Sequence, residues 1–479
     1  MQKNNAYRHK PIILVAILAL LGVALVAAGL FLFFSPMEES SPGVASRPNI
    51  VLIVMDAFRA DKVGAARNGA PLTPFLDSLT EKGACFPNAV TNCTWTRPAM
   101  ASLYTSLYVD THQVVYDTHV PEETGDYAAL SPELDTIATV FKEAGYATIG
   151  IQTNGNLFPE FGFQRGFDVY RTAMDAEGAR VTDWALEEAG RTGHPFFLYA
   201  HYMDPHLPYD PPQQYREMMG YAPESLPPEE REIVEHFRDY LMAHCKLKTG
   251  QISRFPFTPL SEAGREAVRC LYDACIRYTD DEVRRLVESV RANAPRTVFI
   301  ILADHGEHFW DHDLLGHGIT LYDCELRIPL FLFGEGITPE KITRSVELID
   351  VLPTLANLAG LAPMEAWQGR DVFLDEDRPV YAKTRAVSPA WNTHLESVIA
   401  EGKKLVLDRR EDSLQLYDWP GDPGEHNNLA TAETETTERL RNLLEHHRRL
   451  TLGARRGARQ ETDIDEETRE QLRRLGYMD

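Results

Sequence analysis

The run Asn49–Met55 is short, apolar and rich in Val and Ile, and runs of the same texture recur at Ala147–Gln152, Phe196–His201 and Thr297–Leu302. Unbroken apolarity over so few residues is what a strand buried on both faces requires, and such strands belong to parallel sheets covered by helices. Helical periodicity precedes two of these runs, at Leu134–Ala144 and Val268–Ala292. Alternation of this kind restricts the chain to a doubly wound α/β fold. In that class of sheet, ligands bind beyond the carboxyl ends of the strands, so the residues just after each run are where chemistry is expected.

Those residues are metal donors. Asp56 follows Ile53-Val54-Met55, and Asp304-His305 follow Ile300-Ile301-Leu302-Ala303, with Glu307 and His317 close behind. Carboxylates and imidazoles at this density form a set of hard and borderline donors for a divalent ion. Between the runs lies Thr94-Trp95-Thr96-Arg97-Pro98, ahead of Ala99–Tyr108, whose composition is helical and whose proline stands near the first turn. Thr96 is expected to cap that helix. A hydroxyl there lies at the positive end of the helix dipole, which suits both an alkoxide and an incoming anionic ester.

The chain's ends carry other information. Pro11–Phe34 contains no charged residue and exceeds the roughly 20 helical residues that a bilayer core requires. Lys3, Arg8 and Lys10 precede it and no acidic residue occurs before Glu38, so the expectation is one transmembrane helix over 11–34 with residues 1–10 cytoplasmic. Residues 35–46, rich in Ser and Pro, read as a linker, 47–374 as the catalytic domain on the extracytoplasmic side, and 375–479 as a smaller unit. In that unit Val380–Thr384, Glu396–Ala400, Lys404–Leu407 and Leu414–Tyr417 read as antiparallel strands, with Glu401-Gly402 a hairpin turn and Glu433–Gly476 a helical tail. Lys and Arg total 48 against 71 Asp and Glu, a formal charge of −23 that opposes a nucleic-acid partner. The six cysteines match no zinc spacing, and ordinary thiols or one or two bridges are both compatible with them.

Arg47–Asp61 (RPNIVLIVMDAFRAD), Thr94–Tyr108 (TWTRPAMASLYTSLY), Pro205-His206, Asp304–Glu307 with Gly316-His317-Gly318, and Leu416–Ala430 (LYDWPGDPGEHNNLA) occur in an order and spacing similar to the sulfatase family of the alkaline phosphatase superfamily. A Leu-Gly-Tyr ending at 475–477 adds to the resemblance. The resemblance implies an alkaline-phosphatase-like fold: a large mixed sheet between helices, with a smaller C-terminal antiparallel subdomain beside it. It also implies hydrolysis of a sulfuric or phosphoric ester.

The departures are as informative. Where sulfatases carry the cysteine and arginine of C-x-P-x-R, this chain has Thr96 and Met100. Cys93 cannot serve, because Trp95 stands where the motif needs proline. The lysine and histidine of the family's Gly-Lys-Trp-His segment are Thr153 and Gly155, and the second carboxylate of its Asp-Asp pair is Ala57. What is left resembles the site of phosphoglycerol and phosphoethanolamine transferase relatives. By that resemblance Asp56, Thr96, Asp304 and His305 hold one divalent ion, with manganese, zinc, calcium and magnesium all open. Thr96 is the nucleophile, His206 and His317 contact the ester and leaving group, and Asn154 binds a non-bridging oxygen. Asp204, His206 and His317 are the residues a second ion would recruit, but a single ion is favoured, and His112 and His201 are expected in structural or supporting roles. The implied substrate is a small anionic ester, lipid- and glycan-linked forms included, with phosphate esters favoured. A conventional sulfatase, a transferase and a catalytically silent binding relative are the alternatives.

Overall fold

A computed structural model describes residues 47–115, 127–174, 176–193, 195–237, 260–387, 392–458, 460–462, 465–466 and 468–469. The anticipated span at Pro11–Phe34 lies outside the described residues. Among the described residues, no helix is long and apolar enough to cross a membrane.

The main sheet contains β1 (Asn49–Met55), β2 (Ala84–Cys85), β3 (Ala147–Gln152), β4 (Val169–Thr172), β5 (Phe196–Tyr202), β6 (Thr297–Ala303), β7 (Leu330–Gly334) and β8 (Glu340–Lys341). Their spatial order is β8-β2-β7-β6-β1-β5-β3-β4. From β6 to β4 every pairing is parallel, and β7 turns antiparallel against β6. All residues of β1, β5 and β6 are buried, as their unbroken apolar sequences demand. The helices α1 (Thr96–Thr105), α2 (Gly178–Arg191) and α3 (Glu262–Asn293) are the main cover. Every residue of α1 is buried, so this helix is enclosed on all sides.

Helix boundaries were partly hidden in the sequence. The helix expected over Leu134–Ala144 runs from Ile137 to Glu143, because Thr136 accepts from the Thr139 amide and starts it three residues late. α3 begins earlier than expected, at Glu262, where the Ser261 side chain accepts from the Gly264 amide.

The C-terminal strands β9 (Val380–Val387), β10 (Asn392–Ala400), β11 (Lys403–Asp408) and β12 (Ser413–Asp418) form an antiparallel meander. Glu401 and Gly402 both adopt positive φ, 56° and 72°, as a tight hairpin turn requires. The helix α4 (Thr434–Gly453) lays Leu440 and Leu444 on Val398, Leu405, Leu407 and Leu416. Residues 470–476 of the helix expected over Glu433–Gly476 lie outside the described residues, and the helix is interrupted after Gly453. Beyond it Gly457 takes φ 71°, and Gln460–Thr462 pairs antiparallel with Tyr127–Ala129. Of the six cysteines, Cys85, Cys93, Cys270, Cys275 and Cys324 are unpaired thiols, and Cys245 lies outside the described residues.

One ion cluster joins the meander to the main body. Lys404, fully buried on β11, donates to the Leu321 carbonyl at 2.9 Å and to Asp323 at 2.7 Å, and it pairs with Glu425. Burial pushes the Glu425 carboxyl up to about 7, even with Lys404 opposing the shift. Replacing Lys404 by Met leaves buried carboxylates without their cation, and the expected loss of unfolding free energy is about 3–5 kcal/mol. A raised carboxyl pKa favours the folded state at low pH and penalises it as pH rises through the folded value. The deficit of Lys404→Met is therefore expected to be largest above pH about 7 and to shrink below it, as followed by urea denaturation across pH.

Candidate active site

Strand register builds the site. Met55 on β1 lies opposite Ala303 on β6, so the residues one step beyond, Asp56 and Asp304, leave the sheet side by side at its carboxyl edge. Both are fully buried, and with His305 they place ligand atoms within 4.8 Å of one another. The Asp56 Oδ1 and Asp304 Oδ2 atoms have no hydrogen-bond partner, although they are buried. His305 Nε2 stands 3.8 Å from the first and 3.4 Å from the second. The His305 Nδ1 atom donates to the Gly306 carbonyl at 2.8 Å, which leaves the Nε2 lone pair facing the carboxylates. Two orphaned carboxylate oxygens and an aimed imidazole fit a divalent cation.

The remaining oxygens are fully occupied. Asp56 Oδ2 accepts from Asn154 Nδ2 at 2.6 Å and from His201 Nε2 at 2.9 Å, and the Tyr199 hydroxyl lies 2.6 Å from His201 Nδ1. Asp304 Oδ1 accepts from the Ala57 and His305 amides at 3.2 and 2.9 Å. Ala57 donates from a left-handed conformation, φ 52°, a strained state for a residue with a Cβ. At this position, where the resembling family has a second carboxylate, the backbone amide holds Asp304 instead. Burial by itself would raise the Asp56 carboxyl, but the His201 hydrogen bond and the charges of His206, His201 and His305 hold it well below the usual range. Asp304 is pushed up by burial and by the charge of Asp56.

Thr96 is buried at the first turn of α1, with its Oγ1 3.2 Å from His305 Nε2. It is not the cap that its sequence context suggested. Trp95, extended at φ −143° and ψ 140°, is the cap, and its carbonyl accepts the first helical bond from Ala99. Thr96 is thus helical, and its hydroxyl lies against His305 Nε2 rather than capping the helix.

His206 and His317 face each other with ring centres 5.0 Å apart, and His317 lies 4.4 Å from the ring of His305. His317 Nδ1 is 3.0 Å from Glu307 Oε1, and Glu307 overcomes the effect of burial to raise the imidazole to about 9. Burial lowers His206 to about 4, with its Nδ1 2.6 Å from the Leu207 carbonyl. One imidazole is therefore a proton donor at neutral pH and the other a neutral base.

Asn154, expected on the substrate, has both ends of its amide engaged, by Asp56 and by the Asn156 amide, so its contacts orient a carboxylate. Asp204 accepts from the Gly178 amide at the start of α2, away from any group of three potential donors among the described residues. His112 is 3.0 Å from Ser102 and lies outside the cleft's donor set. Sequence reasoning passed over Arg97, whose buried guanidinium lies 3.7 Å from the Phe161 ring centre and donates to Asn156. A cation next to the helix start was the available signal. It also passed over Glu325, fully buried, which accepts from the Gly318, Ile319 and Thr320 amides and so shapes the loop that carries His317.

A parallel-centred α/β sheet with a cation-ready carboxylate pair, an adjacent buried hydroxyl and a histidine pair defines the class of ester hydrolases built like alkaline phosphatase. Residues 48–361 match the sulfatase family, and the chain belongs to it. Among curated relatives, arylsulfatase K of Gallus gallus is 24% identical over 91% of this chain and 86% of its own. The multifunctional alkaline phosphatase superfamily protein PehA of Trinickia caryophylli is 27% identical over 78% of this chain and 84% of its own. The crystal structure of the phosphonate monoester hydrolase of Agrobacterium radiobacter has the same fold, with a TM-score of 0.64 at 20% identity over 85% of this chain and 96% of that one.

Because Asn154 and His201 orient Asp56, removing either hydrogen bond is expected to loosen the cation. Asn154→Ala should weaken divalent-ion affinity about 10–100-fold while leaving KM for ester within a few-fold, as measured by equilibrium dialysis beside steady-state kinetics. A selective rise in KM with unchanged ion affinity would return Asn154 to the substrate.

Proposed function

We propose that this protein is a metal-dependent ester hydrolase that uses Thr96 as its nucleophile and prefers phosphate and phosphonate esters to sulfates. The observation that carries the reading is the placement of the Thr96 hydroxyl, 3.2 Å from His305 Nε2, beside two partnerless carboxylate oxygens and at the start of a helix. Asp56, Asp304, His305 and Thr96 would hold a divalent ion, which would supply charge to lower the hydroxyl pKa and polarise the ester oxygen. The Thr96 hydroxyl gives its proton to solvent as its oxygen attacks phosphorus in line, the bond from phosphorus to the leaving oxygen breaks, and that oxygen takes a proton from His317. Water then cleaves the phosphothreonine, giving its proton to the neutral base His206 and through it to solvent, from which the released Thr96 oxygen and His317 regain theirs. The positive end of the α1 dipole, where Thr96 stands, favours an anionic group in the cleft. The names of relatives carry both chemistries, sulfatase and phosphonate monoester hydrolase. A threonine favours phosphorus, because it has no route like that of formylglycine, whose sulfated hemiacetal can expel sulfate without a second attack at sulfur.

Thr96→Ala is expected to lower kcat by a factor on the order of 10³ or more with only partial loss of the ion. Acid quench of the wild type should trap phosphothreonine at Thr96, detectable by mass spectrometry. Near-normal turnover in the variant, or faster turnover of matched sulfates than of phosphates, would replace this reading with a conventional sulfatase.

The uncharged run Pro11–Phe34, with its basic residues on the N-terminal side only, supports a single-pass anchor that holds this domain outside the cytoplasm. A reporter fused after Asp479 is expected to be active only on the extracytoplasmic side and to fractionate with membranes. Cytoplasmic reporter activity would reverse the orientation.

A further inference from the structure

We propose that His308, Asp311 and Cys324 form a second cation site, separate from the catalytic one and suited to a thiophilic divalent ion of the zinc class. The three side chains place an imidazole nitrogen, a carboxylate oxygen and a sulfur within 4.8 Å of one another. They share no residue with the group made by Asp56, Asp304 and His305. A thiol beside an imidazole is a borderline-soft donor set, which selects zinc-like ions over calcium and magnesium.

The geometry of His308 carries the argument. Its Nε2 is 2.6 Å from Glu325 Oε1 and 2.9 Å from the Thr320 hydroxyl. Glu325 cannot swing away, because the Gly318, Ile319 and Thr320 amides fix it. The Glu325 carboxylate keeps a ring hydrogen on Nε2, so the nitrogen that faces Cys324 Sγ, 3.2 Å away, is Nδ1, and it supplies its lone pair when an ion displaces its proton. This is the carboxylate–histidine arrangement that orients a metal-binding imidazole. Asp311 Oδ2 is taken by Arg59 at 2.7 Å and by the Phe309 amide at 2.8 Å, while Oδ1 receives only a 3.3 Å contact from Arg59. A carboxylate has about four lone-pair directions, so Oδ1 keeps one for an ion. His308 is buried, whereas Asp311 and Cys324 are partly exposed, which gives an ion a path from solvent. Uptake forms sulfur–metal and nitrogen–metal bonds and releases the Cys324 and His308 Nδ1 protons to water.

Such an ion would tie the hairpin His308–Phe309/Leu315–Gly316 to the short helix Asp323–Leu326. That helix also accepts the Gly306 and Glu307 amides through the Glu325 and Cys324 carbonyls, so the tie braces the loop carrying Glu307.

The test is titration of cobalt(II) into the reduced, metal-free, full-length protein in detergent, because only a thiolate site yields a sulfur-to-cobalt charge-transfer band. The band is expected in the wild type, absent in Cys324→Ser, and weakened in His308→Gln by more than the ~10–100-fold typical of losing an orienting partner. In Asp304→Asn the band should persist, so failure of the catalytic-ion reading and failure of this one are distinguishable. A wild type without the band, or a band that survives Cys324→Ser, overturns the proposal. Should Cys324→Ser not fold, zinc must slow iodoacetamide labelling of Cys324 in the wild type, and unchanged labelling overturns the proposal equally.

Discussion

Asp56 and Asp304 bring like charges together in a dry interior, where repulsion is screened far less than in water. Neither can turn away, because strand register sets them side by side and each has its outer oxygen pinned, Asp56 by Asn154 and His201, Asp304 by two backbone amides. Only protons or a cation can relieve the strain between the two inner oxygens. The cleft follows from this constraint: His305 completes a ligand set, Thr96 lies within reach of it, and the left-handed Ala57 bears a local cost so that its amide meets Asp304.

Around that pair the molecule supplies rigidity from a distance. Lys404 on the C-terminal meander anchors Asp323 and Glu425. The adjacent Glu325 cups the amides of residues 318–320, and the carbonyls of Cys324 and Glu325 hold those of Glu307 and Gly306. The small sheet is therefore not an appendage to the catalytic body. It sets the position of the loop that presents His317 opposite His206, and Glu307 keeps His317 charged where burial alone would discharge it.

Within the sulfatase family this chain has the Asp56, Asp304 and His305 group and departs from the family's sequence pattern at the helix start and at Ala57. Threonine stands at the helix start, and the usual second aspartate is an alanine whose backbone takes over part of its work. The cation near the helix start is Arg97, buried against Phe161. These departures are confined to the site and leave the sheet untouched, since fold and site chemistry are separable.

The parallel core strands, the hairpin at Glu401-Gly402, and Asp56, Asp304 and His305 as residues at strand ends were legible in the chain itself, because period, turn chemistry and donor density are local properties. The start of the helix at Ile137 and the interruption of the tail helix after Gly453 were not legible, since the cap at Thr136 and the chain's turn beyond Gly453 compete with a periodicity that looks continuous. Thr96 was read as a cap, because whether a hydroxyl turns to its own backbone or away from it depends on the residue before it and on what lies opposite. The engagement of Asn154 with Asp56, the support from Glu325 and the meeting of His308 with Cys324 join residues far apart in sequence or hidden by neighbours of similar chemistry. The sequence alone determined which donors exist and on which strands they end. The tertiary structure decided which oxygens remain without partners, because hydrogen-bond satisfaction in a buried cleft is settled only when every neighbour is in place.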